Sequence, residues 1–211
     1  ASFGSALLPK LVGSYEAELH PFLKEIFDLP GVPTVVDIGC DEGYYAVGLA
    51  LRLPRSRVYA FDINPVARDS CRDLSVRNAV QDRVVVEGEC TPQRLGEVLC
   101  PGSLLVSDCE GCEFFLLDPA VTPALKSAYL LVELHDFEHM ELKITPTIVS
   151  RFRETHHVAF ATVHRRDPSH WPSVRFLPPQ KQRLALYECR VLGQQWVFLR
   201  PRAAEAHPPG A

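Results

Sequence analysis

Hydrophobic residues recur along the chain with two different spacings. Over residues 7–28 they are mostly three and four positions apart, which predicts one amphipathic helix that ends before Pro30. Beyond it come short runs of consecutive apolar and β-branched residues, a pattern typical of strands buried on both faces of a sheet. The predicted strands are residues 34–39, 58–62, 83–87, 103–108, 129–134, 158–163 and 195–200. The predicted helices between them are residues 44–53, 65–78, 93–99, 147–155 and 180–191, with a helical turn at 113–117.

The order of these elements predicts the fold class. Strands alternate with helices up to residue 135, which indicates right-handed βαβ units and an open, Rossmann-like α/β sheet. We expect seven strands, mostly parallel, with the last one antiparallel. Residues 1–202 then form a single domain, with an N-terminal helical segment at 1–30 and a proline-rich insertion at 164–180 that covers the pocket. The tail at 203–211 lacks core residues and is expected to be disordered.

Composition and charge narrow the function classes. The chain has 211 residues, 46% of them hydrophobic, and a formal net charge of −4, which predicts one soluble domain. The mild acidity argues against a nucleic-acid partner and against a polybasic membrane anchor. No apolar run approaches the ~20 residues that span a bilayer, and no signal peptide is visible. We therefore expect a cytoplasmic protein without a membrane partner, and a homodimer is compatible with the sequence.

The seven cysteines have an odd count and no regular spacing, so they do not predict a disulfide framework. We interpret them as small apolar residues in a reducing compartment. Cys109 and Cys112 form a C-x-x-C pair, for which a zinc or redox role is the alternative, although no second ligand pair follows at a usual distance. Four histidines without paired ligand spacing are expected on the surface or in loops: His156, His157, His164 and His170.

The loop after the first strand, residues 37–43, reads Asp-Ile-Gly-Cys-Asp-Glu-Gly. It lacks the G-x-G-x-x-G spacing of dinucleotide sites, and its carboxylates Asp41 and Glu42 would repel a pyrophosphate. A cofactor with a cationic centre and no phosphate suits this loop better. S-adenosylmethionine, with its positive amino and sulfonium groups, is such a cofactor.

Asp62 ends the second predicted strand, 25 residues after Asp37. A carboxylate at this place can accept hydrogen bonds from a ribose diol. The alternative role for Asp62 is to cap the helix that starts at Pro65.

Three stretches of the sequence resemble one enzyme family. Residues 36–43, Val-Asp-Ile-Gly-Cys-x-x-Gly, resemble motif I of the class I S-adenosylmethionine-dependent methyltransferases. The D-x-E-G-x-E run at residues 108–113 and the E-x-H run at 133–135 resemble the FkbM-type members of that class. The end of the chain, with Glu188-x-Arg190 and Trp196-x-x-Leu199, is also similar. The sequence departs from the family in Asp62, where Glu is frequent, in Cys109 and Cys112, and in the proline-rich residues 167–179.

The resemblance implies the class I methyltransferase fold and a set of cofactor contacts. Asp37 and Gly39 would hold the methionine part of S-adenosylmethionine, Asp62 the ribose, and residues 88–90 would flank the adenine. The full set of expected cofactor-binding residues is Tyr15, Asp37, Gly39, Cys40, Gly43, Asp62, Ile63, Asn64, Gly88, Glu89, Cys90 and Asp108.

Methyl transfer to a hydroxyl also requires a group that takes up the hydroxyl proton. Candidates lie at the ends of the fourth and fifth strands: Asp108, Glu110, Glu133, His135 and Asp136. His135 is the first choice for the base, because its ordinary pKa is about 6.5. Glu133 would either orient it or bind a substrate amine or hydroxyl. The alternatives are a Mg²⁺ site built from the same residues, which we do not favour, and purely structural roles.

We therefore expect an S-adenosylmethionine-dependent methyltransferase that methylates a hydroxyl of a small molecule. The alternatives are transfer to nitrogen or to a protein acceptor, a non-catalytic nucleotide-binding module of the same fold, and a dinucleotide-dependent oxidoreductase. The missing dinucleotide fingerprint counts against the oxidoreductase.

Overall fold

The computed structural model describes residues 6–136 and 143–202. Seven strands form one sheet: β1 Thr34–Ile38, β2 Arg57–Phe61, β3 Val84–Glu87, β4 Leu104–Ser107, β5 Tyr129–Leu134, β6 His156–Thr162 and β7 Gln195–Pro201. Their order across the sheet is β3-β2-β1-β4-β5-β7-β6. Only β7 runs antiparallel to its neighbours β5 and β6, which confirms the predicted mostly parallel sheet and its antiparallel last strand. Every predicted strand is present to within two residues at each end.

The central strands form because their side chains are apolar on both faces. All residues of β1, β4 and β5 are buried. Successive side chains point to opposite faces of a strand, so Val35 and Val36 enter two different core clusters on the two sides of the sheet. Burying one such side chain stabilises the fold by roughly 1.5–3 kcal/mol. This double core holds the carboxyl ends of the parallel strands at one edge.

Eight helices accompany the sheet in the described residues: α1 Leu7–Val12, α2 His20–Phe27, α3 Tyr44–Arg52, α4 Pro65–Arg77, α5 Pro92–Val98, α6 Glu113–Leu116, α7 Ile144–Phe152 and α8 Pro179–Ala185. None of them is long and apolar enough to cross a membrane.

The prediction of one continuous helix over residues 7–28 is wrong. The chain leaves the helical conformation at Gly13, which caps α1 with φ 79°, and again at Glu16 with φ 47°. A short 3-10 turn, Ala17–Leu19, then leads into α2. The apolar spacing continues through the break, but the backbone turns, and this turn carries Tyr15 and Glu16 toward the sheet edge.

The predicted helix 180–191 is wrong beyond Ala185, where α8 ends. Cys189 has φ 59°, in the left-handed region that a helix cannot continue through. The predicted loop 167–179 contains two 3-10 turns, Pro168–His170 and Pro172–Val174. Trp171 packs beside a small cluster that joins this segment to α8.

Two further expectations about side chains are corrected. Cys109 and Cys112 form a disulfide, whereas the other five cysteines are unbonded. His156 is buried at the start of β6, and its Nε2 lies 3.0 Å from the carbonyl oxygen of Ala128. The hydrogen bonds of its two ring nitrogens allow the imidazole to be buried in the core. The expected disordered tail, 203–211, lies outside the described residues.

Candidate functional site

A cavity of about 700 Å³ lies at the carboxyl ends of the parallel strands. Its wall is formed by the loops that follow β1 to β4, together with Tyr15 from the N-terminal segment. In open α/β sheets this edge is where ligands bind. Ten of the predicted site residues line it: Tyr15, Gly39, Asp62, Ile63, Asn64, Gly88, Glu89, Cys90, Asp108 and Glu110.

Two glycines of the first loop are required by close packing. A Cβ on Gly39 would lie 1.7 Å from the carbonyl oxygen of Asp108, and a Cβ on Gly43 would lie 2.7 Å from Sγ of Cys71. Both have positive φ, which suits glycine. Gly39 thereby lets the loop after β4 approach the loop after β1. Three other residues of this loop that we expected to bind the cofactor do not line the cavity: Asp37 and Cys40, which are buried, and Gly43.

Asp62 is held in place by two backbone donors. Its Oδ2 accepts from the Asp41 amide at 3.0 Å, and its Oδ1 accepts from the Asn64 amide at 2.8 Å. Asn64, and not Asp62, caps α4, by accepting from the amide of Val66 at 3.0 Å. The alternative cap role therefore belongs to Asn64, and the carboxylate of Asp62 faces the cavity in a fixed orientation.

Two carboxyl groups of the first loop have raised pKa values because they are fully or partly buried. Asp37 is 2% exposed, and its Oδ2 has no hydrogen-bond partner within residues 6–136 and 143–202. Burial raises the pKa of Asp37 to about 7, against the backbone hydrogen bond from Ala46. Burial, followed by the hydrogen bond to Glu42, likewise raises the pKa of Asp41 to about 7. A cation bound nearby would favour the ionised forms of both.

His135 brings the two acidic motifs together. Its Nδ1 lies 2.9 Å from Oε1 of Glu113, which is fully buried. Its Nε2 lies 3.5 Å from both Asp108 Oδ1 and Glu110 Oε2, and 3.8 Å from Glu133 Oε2. The D-x-E-G-x-E run therefore surrounds the histidine of the E-x-H run. His135 itself is buried and does not line the cavity, so Asp108 and Glu110 lie between it and the cavity.

The protonation of this cluster follows from its surroundings. Burial lowers the pKa of His135, but the hydrogen bond and charge of Glu113, with Asp108 and Glu110, outweigh it and the pKa is raised. Burial, then the neighbouring Asp108, raises the pKa of Glu133. Because carboxyl oxygens of Asp108 and Glu133 lie within 4.8 Å of each other, ionisation of one disfavours ionisation of the other.

Glu133 forms an ion pair with Arg190, a residue that we did not predict in this site from the sequence. Arg190 donates to Glu133 and to Glu16, both through short contacts, and Tyr45 donates to Glu16. Glu188 accepts from the Glu16 amide at 3.1 Å. The structure places Glu113, rather than Glu133, on the imidazole Nδ1, so the orienting role that we expected for Glu133 lies with Glu113.

A second ion pair fixes the N-terminal segment over the cavity. Lys10 of α1 forms a short contact with Glu42 of the first loop. Its ammonium also lies 4.7 Å from the ring centre of Tyr15 and 4.6 Å from that of Tyr44. These cation–π contacts hold Tyr15 at the rim, where it lines the cavity.

Three side chains of the cluster around His135 bear on the alternative of a Mg²⁺ site. Ligand atoms of Asp108, Glu133 and His135 lie within 4.8 Å of one another and could hold a metal ion. Arg190 already supplies a positive charge to Glu133, and Mg²⁺ prefers an all-oxygen shell. The donor set therefore permits a divalent cation without requiring Mg²⁺.

The chain is similar to known methyltransferases in part of its sequence and in its fold. No protein-family model matches the chain. A release factor glutamine methyltransferase of Chlorobaculum tepidum is 30% identical over 117 residues, which are 54% of this chain and 36% of that protein. A ribosomal protein L11 methyltransferase of Tolumonas auensis is 44% identical over 57 residues, 27% of this chain and 19% of that protein. The chain thus covers 36% of the length of the first relative and 19% of the length of the second.

Solved structures of methyltransferases share the fold. The O-methyltransferase TomG of Streptomyces achromogenes, in complex with SAM, has a TM-score of 0.56 at 13% identity, over 89% of this chain and 80% of that chain. A Bacillus cereus O-methyltransferase in complex with SAH has a TM-score of 0.57 at 12% identity, over 92% and 89%. A candidate rRNA methylase of Clostridium thermocellum has a TM-score of 0.58 at 14% identity, over 87% and 95%. The chain has the Rossmann-like methyltransferase fold.

Proposed function

We propose that the protein is an S-adenosylmethionine-dependent methyltransferase. The observation that carries this proposal is the charge of the cavity wall. The described lining residues include five acidic ones, Asp41, Asp62, Glu89, Asp108 and Glu110, and no Lys, Arg or His. A wall of this kind attracts a cofactor with a sulfonium and an amino group and repels a pyrophosphate. The sequence relatives, which are methyltransferases of other substrates, support the same reaction type.

In the proposed function, different residues around the cavity bind different parts of the cofactor. Asp62 accepts hydrogen bonds from the ribose diol, since the two backbone donors leave lone pairs on both of its oxygens. The first loop, with Asp37 and Gly39, holds the methionine end, and residues 88–90 flank the adenine. The FkbM-type resemblance is supported by the contact between the two motifs that define it, at His135.

The acceptor that we propose is a hydroxyl of a small molecule. Two O-methyltransferases of solved structure share the fold of this chain, which supports an oxygen acceptor. The hydroxyl oxygen would attack the methyl carbon in line with the breaking bond to sulfur, which leaves S-adenosylhomocysteine. The hydroxyl proton passes to the cluster of Asp108 and His135, whose facing atoms are 3.5 Å apart. His135 is then the final site of the proton, and Asp108 is the residue that contacts the hydroxyl of the substrate.

Binding of S-adenosylhomocysteine, measured by titration calorimetry, tests the cofactor half of the proposal. Asp62→Ala should weaken the affinity by roughly 30–100-fold, because charge-assisted hydrogen bonds to the ribose are lost. Asp69→Ala removes an exposed carboxylate of α4, away from the cavity wall, and is the matched control. Wild-type protein that binds NADH but not S-adenosylhomocysteine would overturn the proposal in favour of a dinucleotide enzyme.

The acceptor class can be tested without knowing the acceptor. The protein is incubated with methyl-labelled S-adenosylmethionine and a cell extract that has been separated into small molecules, proteins and RNA. We expect label in the small-molecule fraction, in a base-stable form as for an ether. Label that is removed by protease or nuclease treatment would instead assign a protein or RNA acceptor, as in the curated relatives or in the rRNA methylase neighbour.

A further inference from the structure

The disulfide between Cys109 and Cys112 lies in the cavity wall. Both cysteines line the cavity and are partly exposed, and their Cα atoms are 5.6 Å apart. Cys40 and Cys71, by contrast, are buried. Cys90 also lines the cavity, but burial raises the pKa of its thiol to about 12, so it is a poor partner for exchange. The bond is therefore open to small reagents from the side where the cofactor would bind.

The bond closes the loop that presents the acidic groups to His135. Between the two cysteines, Glu110 has φ 55° and Gly111 has φ 107°. A non-glycine residue in this region is uncommon and is held by its surroundings. The amide of Cys109 donates to Glu113 Oε1 at 3.2 Å, the same oxygen that lies 2.9 Å from His135 Nδ1. The disulfide thus spans the turn that positions Glu110 on one nitrogen of the imidazole and Glu113 on the other.

We propose that Cys109 and Cys112 are a reversible dithiol–disulfide site, exchanging with low-molecular-weight thiols, whose oxidised form holds residues 108–113 in the arrangement that surrounds His135. In reduction, a thiolate such as that of glutathione attacks one sulfur and forms a mixed disulfide, and the other cysteine leaves as a thiolate. A second glutathione thiolate then releases the first cysteine. Two glutathione molecules become one glutathione disulfide, and the two electrons and two protons end on the cysteine thiols.

The site is coupled to the cofactor cavity, a step that rests on the proposed function. Bound cofactor would cover the two sulfurs and would contact the loop that they close. If the oxidised form binds cofactor more tightly by some factor, bound cofactor must disfavour reduction by the same factor. Coupling between two sites typically amounts to 5–150-fold, so we expect reduction to weaken S-adenosylhomocysteine binding by about tenfold.

The first test needs no cofactor. The full chain is equilibrated in buffers of varied glutathione to glutathione-disulfide ratio, and free thiols are alkylated and mapped by mass spectrometry. We expect Cys109 and Cys112 to titrate together and reversibly. Hydrogen exchange at the amides of Cys109, Cys112, Phe115 and Leu116, which are bonded within this turn, should be about tenfold faster in the reduced form, whereas the β4 amides should not change.

Two cysteine variants test whether the effect belongs to the pair Cys109 and Cys112. Cys100→Ser removes a thiol outside the cavity and should leave the titration unchanged. Cys109→Ser with Cys112→Ser should reproduce the reduced form in both exchange and S-adenosylhomocysteine affinity. A pair that stays reduced, or stays oxidised, at every glutathione ratio overturns the proposal, as does unchanged hydrogen exchange. Protein that binds no S-adenosylhomocysteine in either state, but titrates and loosens as expected, would overturn the proposed function alone.

Discussion

At the scale of single residues, the proposed reaction depends on how the surroundings of His135 set its affinity for a proton. Three acidic groups raise the pKa of the imidazole above its ordinary value, against the effect of burial. A general base must be neutral before it can accept a proton. Methyl transfer to a hydroxyl should therefore increase with pH, with a midpoint above the ordinary histidine value of 6.5.

Glu113→Gln tests this electrostatic role. The amide oxygen of Gln can still accept from Nδ1, but the negative charge is gone, so the midpoint of kcat/KM against pH should move down by up to about one unit. His135→Asn should lower kcat by about 10²–10⁴-fold while S-adenosylhomocysteine still binds. Glu97→Gln, on the exposed face of α5, is the control and should leave the profile in place. A profile that does not move in Glu113→Gln would remove Glu113 as the positioning residue.

Some residues of this site could be predicted from the local sequence pattern, and others could not. Asp62, Gly39 and Asp108 follow strands directly, so strand prediction and motif spacing were enough to place them at the sheet edge. Glu113 was within the D-x-E-G-x-E run, but its burial and its contact with Nδ1 depend on how α6 turns back. Asp41 lines the cavity because its amide is bonded to Asp62, a contact that joins two loops and has no signature in either.

At the scale of elements, the strands were predictable because their apolar runs report burial on both faces, and this property decides whether a parallel strand forms. The helices at the two ends of the domain were not. Apolar spacing continues past Gly13 and past Ala185, but left-handed residues at Glu16 and Cys189 turn the backbone. A hydrophobic pattern reports which face is buried and does not report these turns.

The two turns that the sequence did not predict bring together one network of four ion pairs. Arg166 pairs with Glu18 and Glu188, and Arg190 pairs with Glu16 and Glu133, all of them largely buried. Residues as far apart as Glu16 and Arg190 meet only because both ends of the domain leave their helices. A buried ion pair must regain its desolvation cost through geometry, and the backbone turns provide that geometry. Sequence distance hid this network, although it contacts the predicted Glu133.

At the scale of the whole molecule, a buried acidic residue of the central strand carries a cost in stability. Asp37 follows two core valines on the central strand and is buried with one oxygen lacking a hydrogen-bond partner in the described part of the chain. Its pKa is about 7 when folded, against an ordinary value of 3.8. Between these values the folded protein keeps a proton that the unfolded chain has released, so the free energy of unfolding falls as pH rises through this window. The interval corresponds to about 4 kcal/mol.

Asp37→Asn should remove this pH-dependent cost. The variant keeps an acceptor for the amide of Ala46 but has no charge to bury, so its free energy of unfolding relative to wild type should rise by about 2–4 kcal/mol between pH 5 and pH 8. Urea unfolding at both pH values measures it. In the proposed function the same charge attracts the positive amino group of the cofactor, so the variant should bind S-adenosylhomocysteine more weakly at pH 8. Asp69→Asn, with its exposed carboxylate, should leave both quantities unchanged. An Asp37→Asn variant whose stability tracks wild type across this range would mean that Asp37 ionises normally and that folding does not bury its charge.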